Sequence, residues 1–224
     1  LVTAPTQLTA DNLINLKIFD NEKIKILRDP VINCNEINNK KNIYLEETFL
    51  DRDYYLSIGR LTDQKNFKFL IKVFSRNHHK FENKKLVIIG EGENYDYLQK
   101  MIVEYEMTNS IFLIGFKKNV YKYIKNCIAL ISVANYEDPG FTLIEAAYLK
   151  KKIISSLVQN GPIEMKKNAN MCYFFQPNNE ADFVNKILES EKEEMPNIKL
   201  AKAQKFSKKF TIFSHYKSFE KLLN

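Results

Sequence analysis

Of 224 residues none is tryptophan, three are cysteine, three are histidine, and glycine and proline number six each. Cys34, Cys127 and Cys172 share no metal-ligand spacing, and an odd, sparse set argues for a reducing compartment rather than a disulfide framework. Cys127 sits in an apolar run and reads as a core filler. His78 and His79 end a helical stretch and His215 lies in the last one, so all three read as surface or packing residues. No apolar window approaches the roughly 20 residues of a membrane span. The start, LVTAPTQLTADNL, lacks a basic segment followed by a long apolar core, which excludes a signal peptide, and with no initiator methionine it reads as part of something longer. Acid is also in deficit: 27 Asp and Glu face 34 Lys and Arg, a net charge of +7. Besides solubility, that balance leaves three kinds of partner: phosphate-bearing small molecules, an anionic membrane surface, or nucleic acid.

What is present is apolar surface, 45% of the chain, with 16 Phe and 12 Tyr. That suffices for one substantial core or one domain with an attached segment. Strand-like runs occur at 24–28, 54–59, 85–90, 111–115, 128–133 and 152–156. Most are continuously apolar, as parallel strands covered on both faces require. Helical stretches lie between them at 66–77, 95–106, 120–126, 142–149 and 180–190; in the first, Phe67, Leu70, Ile71 and Phe74 recur at helical spacing. The alternation over 53–190 predicts an α/β fold, an open, parallel, Rossmann-like sheet with helices on both faces. Residues 1–23 read as a helix whose partner strand or sheet is missing, and 33–42 as a polar linker or hinge. After 190 the spacing predicts two helices broken near Pro196 or Ser207, the last with an apolar stripe of Phe210, Phe213, Tyr216, Phe219 and Leu222 suited to docking.

Ligands of such a sheet collect outside the carboxyl ends of its strands, so the residues just after each apolar run matter most. Gly59 and Arg60 end one run and Lys65 stands near the next helix, where a cation makes sense if a phosphate is the occupant. Gly90 and Gly92 follow the next run, but the full glycine fingerprint of dinucleotide sites is absent, which excludes NAD or FAD. Gly115 and Phe116 repeat the arrangement. In EDPGFTLIE, Pro139 and Gly140 permit a tight turn between Glu137 and the helix that carries Glu145, presenting the backbone of residues 139–142 to a ligand. Asn160, Gly161 and Pro162 form a further turn before a short helix near Glu164.

A strand ending Gly59-Arg60-Leu61, a lysine five residues after the arginine, a Gly-x-Gly after the next strand, and Glu137 and Glu145 separated by seven residues together resemble the carboxy-terminal, donor-binding domain of retaining GT-B-fold bacterial glycosyltransferases, the glycosyl transferases group 1 family. The resemblance covers residues 20–224 and implies a remnant of the amino-terminal domain with its linker at 1–42, a nucleotide-sugar donor domain at 43–206 and a crossover helix at 207–224. It implies that Arg60 and Lys65 hold the donor diphosphate, Glu137 meets the donor sugar, Glu145 binds the ribose, Gly140, Phe141 and Thr142 contact sugar or phosphate through their backbone, Phe116 and Lys117 lie beside the base, and Gly59 and Gly90 border the donor. Ala134 stands where the family commonly has Ser, and Lys150 where a Gly often follows the second Glu's helix. The implied activity is transfer of a hexosyl group from a nucleotide-diphosphate sugar, UDP-linked, to a hydroxyl of a glycan or lipid-linked acceptor in surface-glycan synthesis. It needs no metal or other cofactor, and takes place in the cytoplasm or at the inner membrane face, with an anionic membrane surface as an admissible partner and no nucleic acid. The first domain is missing, so this chain alone is expected to be weakly active. Rival readings are a noncatalytic donor-binding module, a nucleotide-sugar epimerase or phosphorylase, and a nucleic-acid-binding domain using Lys117, Lys118, Lys122 and Lys125.

Overall fold

The computed structural model describes residues 1–45, 47, 53–82, 84–169, 172–192 and 197–223. The chain opens with a small unit, β1 (Val2–Ala4), α1 (Gln7–Asn15) and β2 (Ile24–Ile26). The two strands pair in parallel, Val2 with Ile24 and Ala4 with Ile26, and Ala10 of the helix packs on Ala4 and Ile24. This corrects the expectation of a helix without a strand partner over 1–23: the partner is a three-residue strand, too short to show a period. The polar stretch at 33–42, expected as a linker or hinge, contains a helix, α2 (Cys34–Lys40). The Asn33 side chain caps it by accepting the Glu36 N–H at 3.2 Å, and Ile37 anchors it as its one buried residue. A helix that buries a single side chain can be polar nearly throughout.

The main sheet holds β3 (Tyr54–Ile58), β4 (Lys85–Ile89), β5 (Ile111–Leu113), β6 (Ala129–Ser132), β7 (Lys152–Ser156) and β8 (Tyr173–Phe175), all parallel, in the order β5-β4-β3-β6-β7-β8. The last strand, three residues long, is absent from the sequence reading. Connecting helices are α3 (Phe67–Asn77), α4 (Tyr95–Glu104), α5 (Tyr121–Asn126), α6 (Phe141–Tyr148) and α7 (Gly161–Ala169). α8 (Glu180–Lys192), α9 (Asn197–Ser207) and α10 (Ile212–Leu223) follow the sheet. The chain breaks between α9 and α10 through a tight turn at Lys208–Phe210, next to Ser207; the other expected break, Pro196, lies outside the described residues.

Alternation along the strands sorts the core into two layers. Tyr55, Leu86, Ile88, Ala129, Ile131 and Ile154 face α3, α4 and α8, whereas Tyr54, Leu56, Val87, Ile89, Leu130 and Ile153 face α2, α5, α6 and α9. Tyr54 is fully enclosed and keeps its hydroxyl satisfied by donating to the Tyr123 carbonyl at 2.7 Å. Ile32 and Phe210 join the second layer, and the Ile32 N–H donates to the Phe210 carbonyl at 2.9 Å. No helix among the described residues is long and apolar enough to cross a membrane. Strand order reverses between β3 and β6, which pair through Leu56 and Leu130, so the loops that leave these two strands flank the crevice where such sheets bind ligands.

Candidate functional site

Beyond the strand ends the backbone ladder continues. The Gly59 N–H donates to the Ile89 carbonyl and the Gly90 N–H to the Gly115 carbonyl, both at 3.0 Å, so the loops after β3, β4 and β5 form one stepped edge. At Gly90, with φ of 152°, a Cβ would fall 1.9 Å from the Gly59 oxygen, so any side chain there would wedge this edge apart.

Lys65 closes a short 3-10 turn (Asp63–Lys65), and Asn66, in the left-handed region at φ 56°, separates it from α3. Its aliphatic stem lies against Gly59, where a Cβ would stand 3.2 Å from the lysine carbons. Its amine reaches Glu137 Oε1 at 2.7 Å. Glu137 is 5% exposed, and the same oxygen accepts from the Ser132 hydroxyl at 3.4 Å. The structure therefore brings together two of the expected site residues, 72 positions apart in sequence, on the two loops that border the crevice. Arg60, on the same loop as Lys65, is exposed, and its guanidinium has no hydrogen bond or ion pair among the described residues.

Side-chain amides staple the two loops. The Asn135 N–H donates to the Gln64 carbonyl at 2.8 Å, Asn135 Nδ2 to the Asp63 carbonyl at 3.2 Å, and Gln64 Nε2 to the Tyr136 carbonyl at 3.1 Å. Asn66 Nδ2 donates to Asn178 Oδ1 at 2.8 Å. The turn at 160–162 belongs to the same assembly: Glu137 and Asn160 form a parallel bridge, and the Gly161 N–H donates to the Glu137 carbonyl at 3.1 Å. Sequence reading missed Ser132, Gln64, Asn135 and Asn178. Only Ser132 left a signal, as the last residue of an apolar strand. From the opposite side, Thr9 of α1 donates its hydroxyl to Asp138 Oδ2 at 2.5 Å, and Arg28 pairs with Glu164 of α7 at 2.6 Å, so the amino-terminal unit touches the same loops.

Gly140 takes a left-handed conformation at φ 86° and caps α6 without a side-chain bond. The Ile144 N–H donates to the Gly140 carbonyl at 3.1 Å, which makes it the first N–H bonded within the helix and leaves those of Phe141, Thr142 and Leu143 without intrahelical acceptors. Phe141 and Phe116 are exposed, Phe116 at 67%. Lys117 is engaged, with its amine 3.1 Å from Glu47 Oε1. Glu145 lies further along α6, half-buried, against the Tyr121 hydroxyl and near Glu36; burial pushes its pKa up to about 7, the Tyr121 bond opposing the shift and Glu36 adding to it. It makes no hydrogen bond or ion pair with Arg60 or Lys65, so the structure resolves the expected constellation into a Lys65–Glu137 pair between the loops after β3 and β6 and a separate Glu145–Tyr121 pair between α6 and α5. Among the described residues no group of His, Cys, Asp and Glu could hold a metal ion.

This geometry has relatives. Over 117 residues the chain is 37% identical to an uncharacterized glycosyltransferase of Methanocaldococcus jannaschii, covering 52% of this chain and 29% of that protein. Over 173 residues it is 28% identical to a Campylobacter jejuni N-acetylgalactosamine-N,N'-diacetylbacillosaminyl-diphospho-undecaprenol 4-alpha-N-acetylgalactosaminyltransferase, covering 77% of this chain and 46% of that one. The chain thus spans less than half the length of either relative. The crystal structure of Anabaena HepE in complex with UDP and glucose superposes with a TM-score of 0.81 at 15% identity, covering 100% of this chain and 62% of that one, which establishes the fold as the carboxy-terminal domain of the GT-B architecture. Residues 39–210, well over half of the chain, match the family described as Glycosyl transferases group 1. A sheet that reverses at β3 and β6, loops that meet there through Lys65 and Glu137, and this match all lead to one conclusion: the chain belongs to the glycosyl transferases group 1 family.

Proposed function

We propose that the protein is a retaining glycosyltransferase that moves a hexosyl group from a UDP-linked sugar to a hydroxyl acceptor of a surface glycan or its lipid-linked precursor. The observation that carries this reading is the Lys65–Glu137 pair at the sheet reversal, with Arg60 exposed on the same loop as Lys65. A diphosphate entering the crevice meets both cations and the free amides at the start of α6. It draws the Lys65 amine away from Glu137, and Glu137 is then free to accept a sugar hydroxyl. As the anomeric bond breaks, negative charge grows on the leaving diphosphate, and the two cations bind that charge more strongly than they bind the intact donor. Glu145 accepts the ribose hydroxyls. Phe116 offers an exposed ring to the base, whereas Lys117, held by Glu47, contributes less than its sequence position implies. UDP is favoured because the Anabaena structure holds UDP and glucose, and a lipid-linked acceptor because the Campylobacter relative is named for a diphospho-undecaprenol substrate. On this reading the reaction runs on the cytoplasmic side of the membrane, and the transfer step needs the first half of the cleft in addition to this chain.

The test is transfer by the full-length protein carrying Arg60→Ala or Lys65→Ala, each expected to lower turnover by about 100- to 1000-fold. The two differ in stability. Lys65→Ala leaves the enclosed Glu137 unpaired and destabilises by about 3 kcal/mol, whereas Arg60→Ala removes a solvated group and changes stability by less than about 0.5 kcal/mol. Arg60→Ala therefore separates chemistry from folding, and unchanged turnover in that variant rejects the assignment. For the chain alone, UDP binding without transfer is the expected outcome, measurable by calorimetry.

A further inference from the structure

A second basic site lies at the opposite edge of the sheet. α5 and α6 run down from the carboxyl edge, and the segments that leave their ends lead straight into β6 and β7 at the amino edge. There, a pocket of about 480 Å³ is lined by Asn38, Lys41, Asn42, Lys125, Lys150 and Gln204, among others, with no acidic side chain in its lining among the described residues. Among the described residues, Glu36 of α2 is committed to Lys40 at 2.6 Å and Glu47 to Lys117 at 3.1 Å.

The lysines that line it are held by neutral groups or by none. The Lys41 amine donates to Asn38 Oδ1 at 2.8 Å, and the Lys125 amine donates to Asn42 Oδ1. Each ammonium has three donors, so each keeps two to offer. Because Asn42 accepts through its oxygen, its amide N–H groups also remain available. Lys150 is exposed in a left-handed conformation at φ 56°, and its amine has no partner among the described residues. At Lys151, next in sequence, burial holds the pKa below its ordinary value, with Cys127 opposing the shift and Lys125 adding to it. Three lysines thus line one pocket with no acidic side chain in its lining among the described residues, an arrangement whose self-repulsion a bound anion would relieve. A phosphate fills only part of the volume, and the remainder admits the alcohol to which it is esterified.

We propose that Lys41, Lys125 and Lys150, with the Asn42 and Gln204 amides, form a binding site for a phosphate ester at the amino edge of the sheet, separate from the crevice that contains Lys65 and Glu137. The ester can be a membrane lipid headgroup or a soluble phosphate compound, and the two are told apart by experiment. Glycerol 1-phosphate titrated into the isotopically labelled protein should shift the backbone amide signals of Asn42, Lys125 and Lys150. Cosedimentation with phosphatidylcholine vesicles, with and without phosphatidylglycerol, reports on the lipid. Both are repeated with Lys125→Gln and Lys150→Gln, singly and together, after thermal melts establish that each variant is folded.

If the site takes lipid, partitioning to the anionic vesicles falls about fivefold for each lysine replaced. If it takes a soluble ester, vesicle binding is absent and the glycerol 1-phosphate shifts vanish in the double variant. The proposal is overturned if neither probe binds, if binding survives the double substitution, or if the shifts fall only at the other edge, at Gly90 and Phe141. Because UDP binding reports on that other edge, loss of one site leaves the other measurable.

Discussion

Burial of the Glu145 carboxyl lifts its pKa from an ordinary 4.5 to about 7, so the folded chain holds this proton more tightly than the unfolded chain. Below about pH 4.5 both states are protonated and the folded state loses nothing. Above that, the unfolded chain ionises first, and stability declines until the folded carboxyl also ionises near pH 7. The decline amounts to at most about 3 kcal/mol and disappears in Glu145→Gln, which urea unfolding across this pH range would measure. Nucleotide binding should change in the opposite direction. Ribose hydroxyls donate to a carboxylate, so UDP affinity rises as pH climbs through 7 in the wild type and stays flat in Glu145→Gln; a flat wild-type profile would detach Glu145 from the ribose. At this scale Lys65, Glu137 and Gly140 were legible in the sequence because each follows an apolar run, and strand ends are where a parallel sheet presents chemistry. The amides of Gln64, Asn135 and Asn178 were not, since a side chain that staples two loops has no period and acquires its partner only when distant segments meet. The occupation of Lys117 by Glu47 was hidden for the same reason.

Elements were legible in proportion to the apolar surface they bury. Five of the six main-sheet strands stand out as continuous apolar runs because both of their faces are covered, whereas β8, β1 and α2 were lost because each is short or buries little. What the strand pattern could not convey is how closely the loops above the sheet approach one another, and the glycines report that. Gly90→Ala places a methyl group 1.9 Å from the Gly59 carbonyl oxygen at a φ of 152°. The clash is with backbone, so the loops after β3 and β4 must separate. A loss of more than about 3 kcal/mol is expected, together with loss of UDP binding. Gly115→Ala is the control on the same edge. Its φ of 68° is also left-handed, but no atom lies within 4 Å of the added methyl, so it should cost only about 1 kcal/mol and leave the edge intact. Equal losses in the two variants, measured by chemical denaturation, would mean that the stepped edge does not depend on close backbone contact.

For the molecule as a whole, apolar surface and charge act against each other. α10 buries none of its residues; Phe213 and Leu223 are 66% and 69% exposed, Tyr216 and Phe219 lie on the same helix, and an apolar groove of about 450 Å³ beside Ile32, Cys34 and Ile212 adjoins it. So large an uncovered apolar face favours association of copies of the chain, while a net charge of +7 keeps them apart. Salt screens the repulsion, since the Debye length shortens to about 10 Å at 0.1 M, and leaves the apolar attraction in place. Self-association of the isolated chain, followed by sedimentation velocity, should therefore strengthen as salt is added. The proposed phosphate and nucleotide binding, assigned to lysine and arginine, should weaken over the same range. Phe213→Ser with Phe219→Ser should abolish the association and leave UDP binding unchanged, because both rings are exposed and neither belongs to the Lys65–Glu137 pair. Association that weakens with salt, or survives the double substitution, would instead place the contact among the charged residues of the surface.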